Sequence, residues 1–242
     1  MTDLSALRRA NADRWAHAKL TRSSDFTLTA KRLVAASAKD RYVAVAARTG
    51  VPWFIIAVIH ERECSQSWTG SLAQGDPFIK KSVHVPAGRG PFASWEDAAV
   101  DALVNCAPYA ARNKDWSAGG ALTLLEQYNG LGYASRGRSS PYVWAGTDQY
   151  VSGKYVRDGV YDANVVDRQL GCAGLILAMM AIDASIKFGA LATNDNAPRV
   201  VARTGQIVVP PHPDAAPAKP SITNPAPGSI GAWVISLFKK AA

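Results

Sequence analysis

One run of residues leaves this chain little choice about its centre. From Val51 the sequence reads VPWFIIAVIHEREC. Pro52 suits the first turn of a helix, where its missing N–H would have no partner anyway. Seven successive apolar residues follow, Trp53 to Ile59, which predicts a helix buried on most sides. The run then breaks into His60, Glu61, Arg62 and Glu63, and a polar loop continues through Gly70, Gly75, Asp76 and Pro77. A carboxyl on the last turn of such a helix meets apolar surroundings and the negative end of the helix dipole. Both disfavour its charged form, so it stays protonated near neutral pH, as a general acid must. A carboxylate on the following loop, Asp76, is then placed to hold or activate water. Two acids meet the first description. On a helix Glu63 shares a face with Ile56, Ile59 and His60, and Glu61 with Phe54, Ala57 and Val58, so periodicity does not choose between them. Ordinary helix-end charges partnered by Arg62 are the plain alternative.

A resemblance does choose. Arg62-Glu63 followed by a small residue, with Gly75-Asp76 further on, resembles the catalytic stretch of goose-type lysozymes and soluble lytic transglycosylases. In that family an Arg-Glu-Ser at a helix end supplies the catalytic acid. Phage and prophage endolysins of the lysozyme-like superfamily are similar in His60-x-Arg62-Glu63, in Gly75-Asp76-Pro77 and in VHVPAGRGPF from Val83 to Phe92. The resemblance covers about Val51 to Ile182, and Cys64 stands where the family usually carries Ser. It implies Glu63 as general acid and Asp76 as the residue that holds water. It also implies a mainly α, lysozyme-like helical domain with a small β-element beside the catalytic cleft. Tyr128-Asn129-Gly130 partly matches a Tyr-Asn-(Ala/Gly)-Gly element that lies along the glycan cleft in the same families, with Leu131 at the last position.

The rest of the chain frames this centre. Its 242 residues are 48% hydrophobic, ample for one core with an appendage. The net charge of +8 calls for an acidic partner: nucleic acid, an anionic membrane or an acidic wall polymer. The positive residues are scattered, and no Lys/Arg-flanked string of aromatics favours nucleic acid. Cys64, Cys106 and Cys172 lack metal spacing and read as reduced, mostly buried thiols. The charged N-terminus is not a signal peptide, and Leu170 to Ile182 is too short to span a bilayer, which needs about 20 residues.

Patterning predicts helices over Leu4–Leu20, in two segments over Phe26–Thr49, and over Ser94–Ala107, Ser117–Gln127 and Asp162–Phe188. Gly50 and Gly189 are read as stops. The basic residues of the second region read as a solvated face or as a hold for an anionic polymer. Ser82 to Val85 alternates and predicts a short strand, with His84 structural rather than catalytic. Gly130 to Gly159 is rich in Gly, Ser and Tyr, and its aromatics Tyr142 and Trp144 either pack together or stack on sugars. Asn194 to Gly228 is Pro-, Ala- and Asn-rich, a semi-extended linker. Ile230, Trp233, Val234, Leu237 and Phe238 fall at helical spacing before Lys239-Lys240, either a short interfacial helix or one docked on the core.

The reading that joins these pieces has three parts: a catalytic domain over 1–189, a linker over 190–228 and an amphipathic cationic tail over 229–242. It expects an endolysin that hydrolyses the β-1,4 bonds of peptidoglycan, made in a bacterial host cytoplasm and acting on the wall after release. Glu63 and Asp76 are the catalytic pair, and His60, Tyr128, Asn129, Tyr142 and Trp144 the substrate contacts. It expects no cofactor, metal or nucleic acid, a monomer, and anionic-membrane contact through 230–242. The rivals are a lytic transglycosylase using the same Glu63, a chitinase or chitosanase, and a noncatalytic wall- or membrane-binding protein.

Overall fold

The computed structural model describes residues 2–189, so the linker and tail over 190–242 lie outside the described residues. What is described is mainly helical. Eight α-helices run in chain order: α1 (Leu4–His17), α2 (Ser23–Leu33), α3 (Ala36–Thr49), α4 (Trp53–Cys64), α5 (Trp95–Asn105), α6 (Ala118–Asn129), the single turn α7 (Pro141–Trp144) and α8 (Cys172–Ile182). One antiparallel hairpin, β1 (Lys154–Arg157) with β2 (Val160–Asp162), is the only sheet among the described residues.

Helix α4 is the hub. Ile55 through Ile59 have no exposed surface, and α4 packs against α3 and α8. Burying each of the larger aliphatic side chains contributes roughly 1.5–3 kcal/mol. Around this hub α1 lies on α6, α2 on α8, and α3 on α5. Helix α8 has room for α2 because Gly174 carries no Cβ: one there would run into the ring of Phe26.

The starts and stops follow the local chemistry. Asp3 caps α1, accepting from the N–H groups of Ser5 (2.9 Å) and Ala6 (3.1 Å). Ser94 and Ser117 cap α5 and α6 through the N–H groups of Asp97 and Gly120. Gly50 ends α3 at φ 71°, the left-handed conformation that glycine adopts without penalty.

Two expectations fail for identifiable reasons. No strand forms at Ser82–Val85. The N–H groups of Val83 and His84 both donate to the Asp76 carboxylate (2.8 and 2.9 Å), so they are not offered to a partner strand. The small β-element is the hairpin at 154–162 instead. The last helix starts at Cys172, not near Asp162, and ends at Ile182. Asp162 belongs to β2, and its carboxylate takes the N–H of Asn164 in a local turn (2.8 Å).

The positive charges of α2 and α3 are largely spent inside the fold. Arg32 pairs with Glu61 of α4 (3.2 Å), Arg41 and Arg48 with Glu96 and Asp97 of α5 (2.5 and 2.9 Å), and Lys39 with Asp183 after α8 (2.5 Å). All three cysteines are buried. No single described helix is long and apolar enough to cross a membrane.

Helices α1 and α6 meet over a buried polar knot. Asn11 donates to Thr123 Oγ1 (3.2 Å) and to Glu126 Oε2 (3.3 Å), and accepts from the Trp144 indole (3.3 Å). Glu126 is fully buried, and its other oxygen has no hydrogen-bond partner. Burial raises its pKa to about 7, with the Asn11 hydrogen bond and the Arg14 charge pulling it down. An unfolded glutamate ionises near 4.5, so above that pH the folded state holds the extra proton. Stability from this site is therefore present at low pH and lost as pH rises through about 7. Glu126→Gln, which cannot ionise, should melt at a higher temperature than the parent at pH 8. The two should converge at pH 4 to 5, as followed by thermal unfolding.

Candidate functional site

The last turn of α4 sends its charged residues in different directions. Glu61 goes to Arg32, which contacts both of its oxygens at 3.2 Å. Arg62 goes into the protein, where it is 3% exposed. It reaches Asp167 (3.3 Å) and the Leu170 carbonyl (3.2 Å), and its guanidinium lies 4.7 Å from the centre of the Tyr142 ring. Asp167 is held in turn by Lys154 (3.0 Å) and takes an ordinary buried-pair role, its carboxyl kept ionised by the two cations. Gln169 donates to the Arg62 carbonyl (2.8 Å). These contacts tie the end of α4 to the segment between β1 and α8.

Glu63 is left with no cation of its own. Its Oε1 accepts from the Tyr142 hydroxyl at 2.7 Å. Tyr128 and Cys172 stand close enough to feel its charge. Part of the residue still reaches solvent, yet desolvation pushes the carboxyl up to about 8, against the opposing pull of the Tyr142 hydrogen bond and the Arg62 charge. Its surroundings thus keep Glu63 protonated at neutral pH, whereas Glu61 is held in an ion pair with Arg32.

Helix α4 ends abruptly here. Ser65 and Gln66 both take positive φ, 52° and 58°, a conformation that costs a non-glycine residue about 1–2 kcal/mol. Gln66 is fixed by its side chain, which donates to the Arg32 carbonyl (3.1 Å) and to Tyr42 Oη (3.2 Å). The Cys64 thiol is directed at the carbonyls of His60 (3.5 Å) and Ser67 (3.6 Å). Gly70 packs on this thiol so tightly that a Cβ would lie 2.9 Å from Cys64 Cβ. The loop 70–77 is thereby seated against the end of α4. The Tyr128 hydroxyl, donating to the Leu72 carbonyl (3.0 Å), fastens the same loop to α6.

Asp76 lies in this loop, and its carboxylate is heavily engaged. Besides the two N–H groups of Val83 and His84, it meets the His84 ring at 2.6 Å. These hydrogen bonds hold its pKa below the usual carboxylate range despite some desolvation. Asp76 thus organises the turn between Pro77 and Pro86. His84 serves this turn as a partner of that carboxylate.

Most of the expected sugar contacts are corrected by their burial. His60 has no exposed surface. It is hydrogen-bonded to Tyr42 Oη (2.9 Å) and the Ser67 carbonyl (3.0 Å), and boxed by Trp68 and Trp95 with centroids at 4.6 Å. Desolvation depresses its pKa to about 4, so it is neutral. Trp144 is fully buried on Asn11. Tyr128 and Tyr142 are 3% exposed, so they fasten a loop and position Glu63 rather than present faces to a ligand. Asn129, the last residue of α6, keeps partial exposure beside Gly130. The residues that sequence reasoning missed are Asp167, Lys154 and Gln169. The one clue was Arg62 itself, a charge in an apolar helix that must find a buried carboxylate. Several aspartates follow in the sequence, and spacing does not distinguish them.

Among the described residues no cluster of His, Cys, Asp and Glu has the geometry to hold a metal ion. Cavities of about 550 Å³, beside α1 and residues 134–138, and about 440 Å³, beside Tyr150 and Asp167, do not include Glu63. Comparison with protein-family models, curated proteins and solved structures gives no match.

The carboxyl can donate a proton at neutral pH and, once ionised, take one back with the Tyr142 hydroxyl in support. A reaction that needs protonated Glu63 should lose kcat/KM as pH rises through about 8. The hydrogen bond from Tyr142 stabilises the carboxylate, so Tyr142→Phe should move this alkaline limb to higher pH. A pH–rate profile of both proteins checks the direction of the shift.

Proposed function

We propose that this chain is a glycoside hydrolase with a lysozyme-like domain, an endolysin that cleaves the β-1,4 bonds of peptidoglycan with Glu63 as general acid. The observation that carries the reading is the partly exposed Glu63, without an ion-pair partner at the end of a buried helix and kept protonated by desolvation against the pull of the Arg62 charge. Glycosidic oxygens are poor leaving groups until protonated, and a carboxyl with a raised pKa supplies that proton at neutral pH. The arrangement of the acid after Arg62 and before the Gly75-Asp76 loop supports the same reading. The wall glycan is the substrate class that the sequence resemblance implies. Release from the host cytoplasm, and membrane contact through 230–242, belong to the same proposal.

A second reading is favoured by Asp76. Its carboxylate already serves two N–H groups and the His84 ring, which limits its freedom to activate water. A lytic transglycosylase needs no such partner: Glu63 protonates the leaving oxygen and then, as a carboxylate, takes the proton from the sugar's own hydroxyl. In the hydrolase reading Asp76 holds the water with its remaining acceptor capacity.

Mass spectrometry of fragments from purified peptidoglycan separates the two, since reducing ends mark hydrolysis and anhydromuramyl ends mark the transglycosylase. Glu63→Gln should lower turnover by about two to four powers of ten with an unchanged melting profile. Near-normal turnover in Glu63→Gln overturns the assignment of the acid; cell killing that survives Glu63→Gln with no glycan fragments released leaves a noncatalytic wall- or membrane-binding protein. Asp76→Asn keeps one acceptor oxygen for the two backbone N–H groups and puts an NH2 donor where the other oxygen meets the His84 ring. It should reduce hydrolysis more than substrate binding if Asp76 holds water; unchanged turnover favours the transglycosylase.

A further inference from the structure

The segment from Phe78 to Phe92 is a surface loop closed by its own hydrogen bonds. Phe92 N–H donates to the Phe78 carbonyl (2.9 Å), and Ser82 N–H to the Arg89 carbonyl (2.8 Å). The Ser82 hydroxyl and the Gln74 amide both donate to the Pro86 carbonyl, at 2.8 and 3.1 Å. Asp76 clamps one side through Val83 and His84. Arg89 anchors the other to Asp101 of α5, with Nε 2.8 Å from Oδ2. Gly90 lies so close to the Lys80 carbonyl that a Cβ would be 2.9 Å from it. The loop's conformation is therefore built from several directions.

What this framework holds up is unusual for a solvated loop. Ile79 is 63% exposed, Val83 78% and Val85 43%. Single exposed aliphatics are ordinary on a protein surface, but this one anchored loop carries three within seven residues. Lys80 and Lys81 stand beside them, both exposed. No Asp or Glu occurs between Pro77 and Trp95. The two carboxylates that bond the loop are already committed, Asp76 to His84 and Asp101 to Arg89.

We propose that this loop is a docking element for an anionic lipid surface, with Ile79, Val83 and Val85 entering the headgroup boundary and Lys80 and Lys81 meeting the lipid phosphates. Aliphatic tips gain from leaving water at a bilayer interface, and lysines at their flank gain from a negative surface. A hydrophilic wall polymer satisfies the lysines and leaves the aliphatic side chains in water. Because the loop is already fixed by Asp76, Ser82 and Arg89, docking it costs little ordering. The element stands on its own, independent of Glu63 chemistry and of residues 230–242.

A probe on the loop itself tests this in the full chain. Val83→Cys labelled with an environment-sensitive fluorophore is mixed with phosphatidylglycerol-containing vesicles, with phosphatidylcholine vesicles, and with purified peptidoglycan. The native cysteines are buried, and parent protein taken through the same labelling gives the background. A blue shift with the anionic vesicles, weakening as salt rises, is expected. Adding Lys80→Glu and Lys81→Glu should weaken it at least about tenfold, and Ile79→Ser should weaken it while leaving the circular dichroism unchanged. Vesicles that sediment with the protein while the label stays in water overturn the proposal, because another part of the chain then makes the contact. A shift with peptidoglycan and none with vesicles also overturns it, and identifies a wall contact. An equal shift with neutral vesicles overturns the role of the two lysines.

Discussion

Desolvation at the end of α4 is the constraint on which the rest depends. The helix is buried because seven apolar residues in a row leave it no solvated face. Whatever follows such a run must emerge from the core within one turn. Here the emergence is divided among three charges. Glu61 is neutralised from outside by Arg32, Arg62 from inside by Asp167, and Glu63 by keeping its proton. Each solution costs the fold something different. A buried pair such as Arg62 with Asp167 recovers its desolvation only through good geometry and extra hydrogen bonds, which the Leu170 carbonyl and Lys154 supply. Glu63 has only a tyrosine hydroxyl, and that deficiency is what makes it chemically useful.

The surroundings of Glu63 are assembled from distant parts of the chain. Tyr142 comes from α7, Tyr128 from α6, Cys172 from the first turn of α8. The loop that follows the acid is seated by contacts of another kind: a close approach of Gly70 to Cys64, and a hydroxyl reaching Leu72. Aromatic residues here act as struts with one polar end. Each buries its ring in the core and spends its hydroxyl on a group that the loop or the acid leaves unsatisfied.

How much of this was legible in the sequence can be judged residue by residue. The helix ends were readable where the cap is local: Ser94, Ser117 and Gly50 act on their own neighbours. The central helix was readable because an apolar run after Pro52 has few other uses. The strand at Ser82–Val85 was not, since its alternation says nothing of a carboxylate six or more residues earlier taking its N–H groups. Nor was the start of α8, because Asp162 serves equally well in a turn or at a cap. Periodicity did not choose between Glu63 and Glu61, and only the resemblance did; the Arg32 that pairs with Glu61 lies 29 residues upstream, where spacing cannot reveal it. The aromatics Tyr142 and Trp144 were visible as a group, but their composition carries no sign of which side faces water. His60 reads in the sequence as one more polar residue at a helix end, and only the converging rings of Tyr42, Trp68 and Trp95 show it as core.

The ion pairs of α2 and α3 have a consequence for how the fold responds to heat. Arg32 joins α2 to α4, Arg41 and Arg48 both join α3 to α5, and Lys39 joins α3 to Asp183 just past α8, so they act as cross-braces rather than as decoration on single helices. Charged groups give up their water more readily as temperature rises, while the hydrophobic contribution levels off. The bracing around α3 therefore carries a growing share of the load on warming.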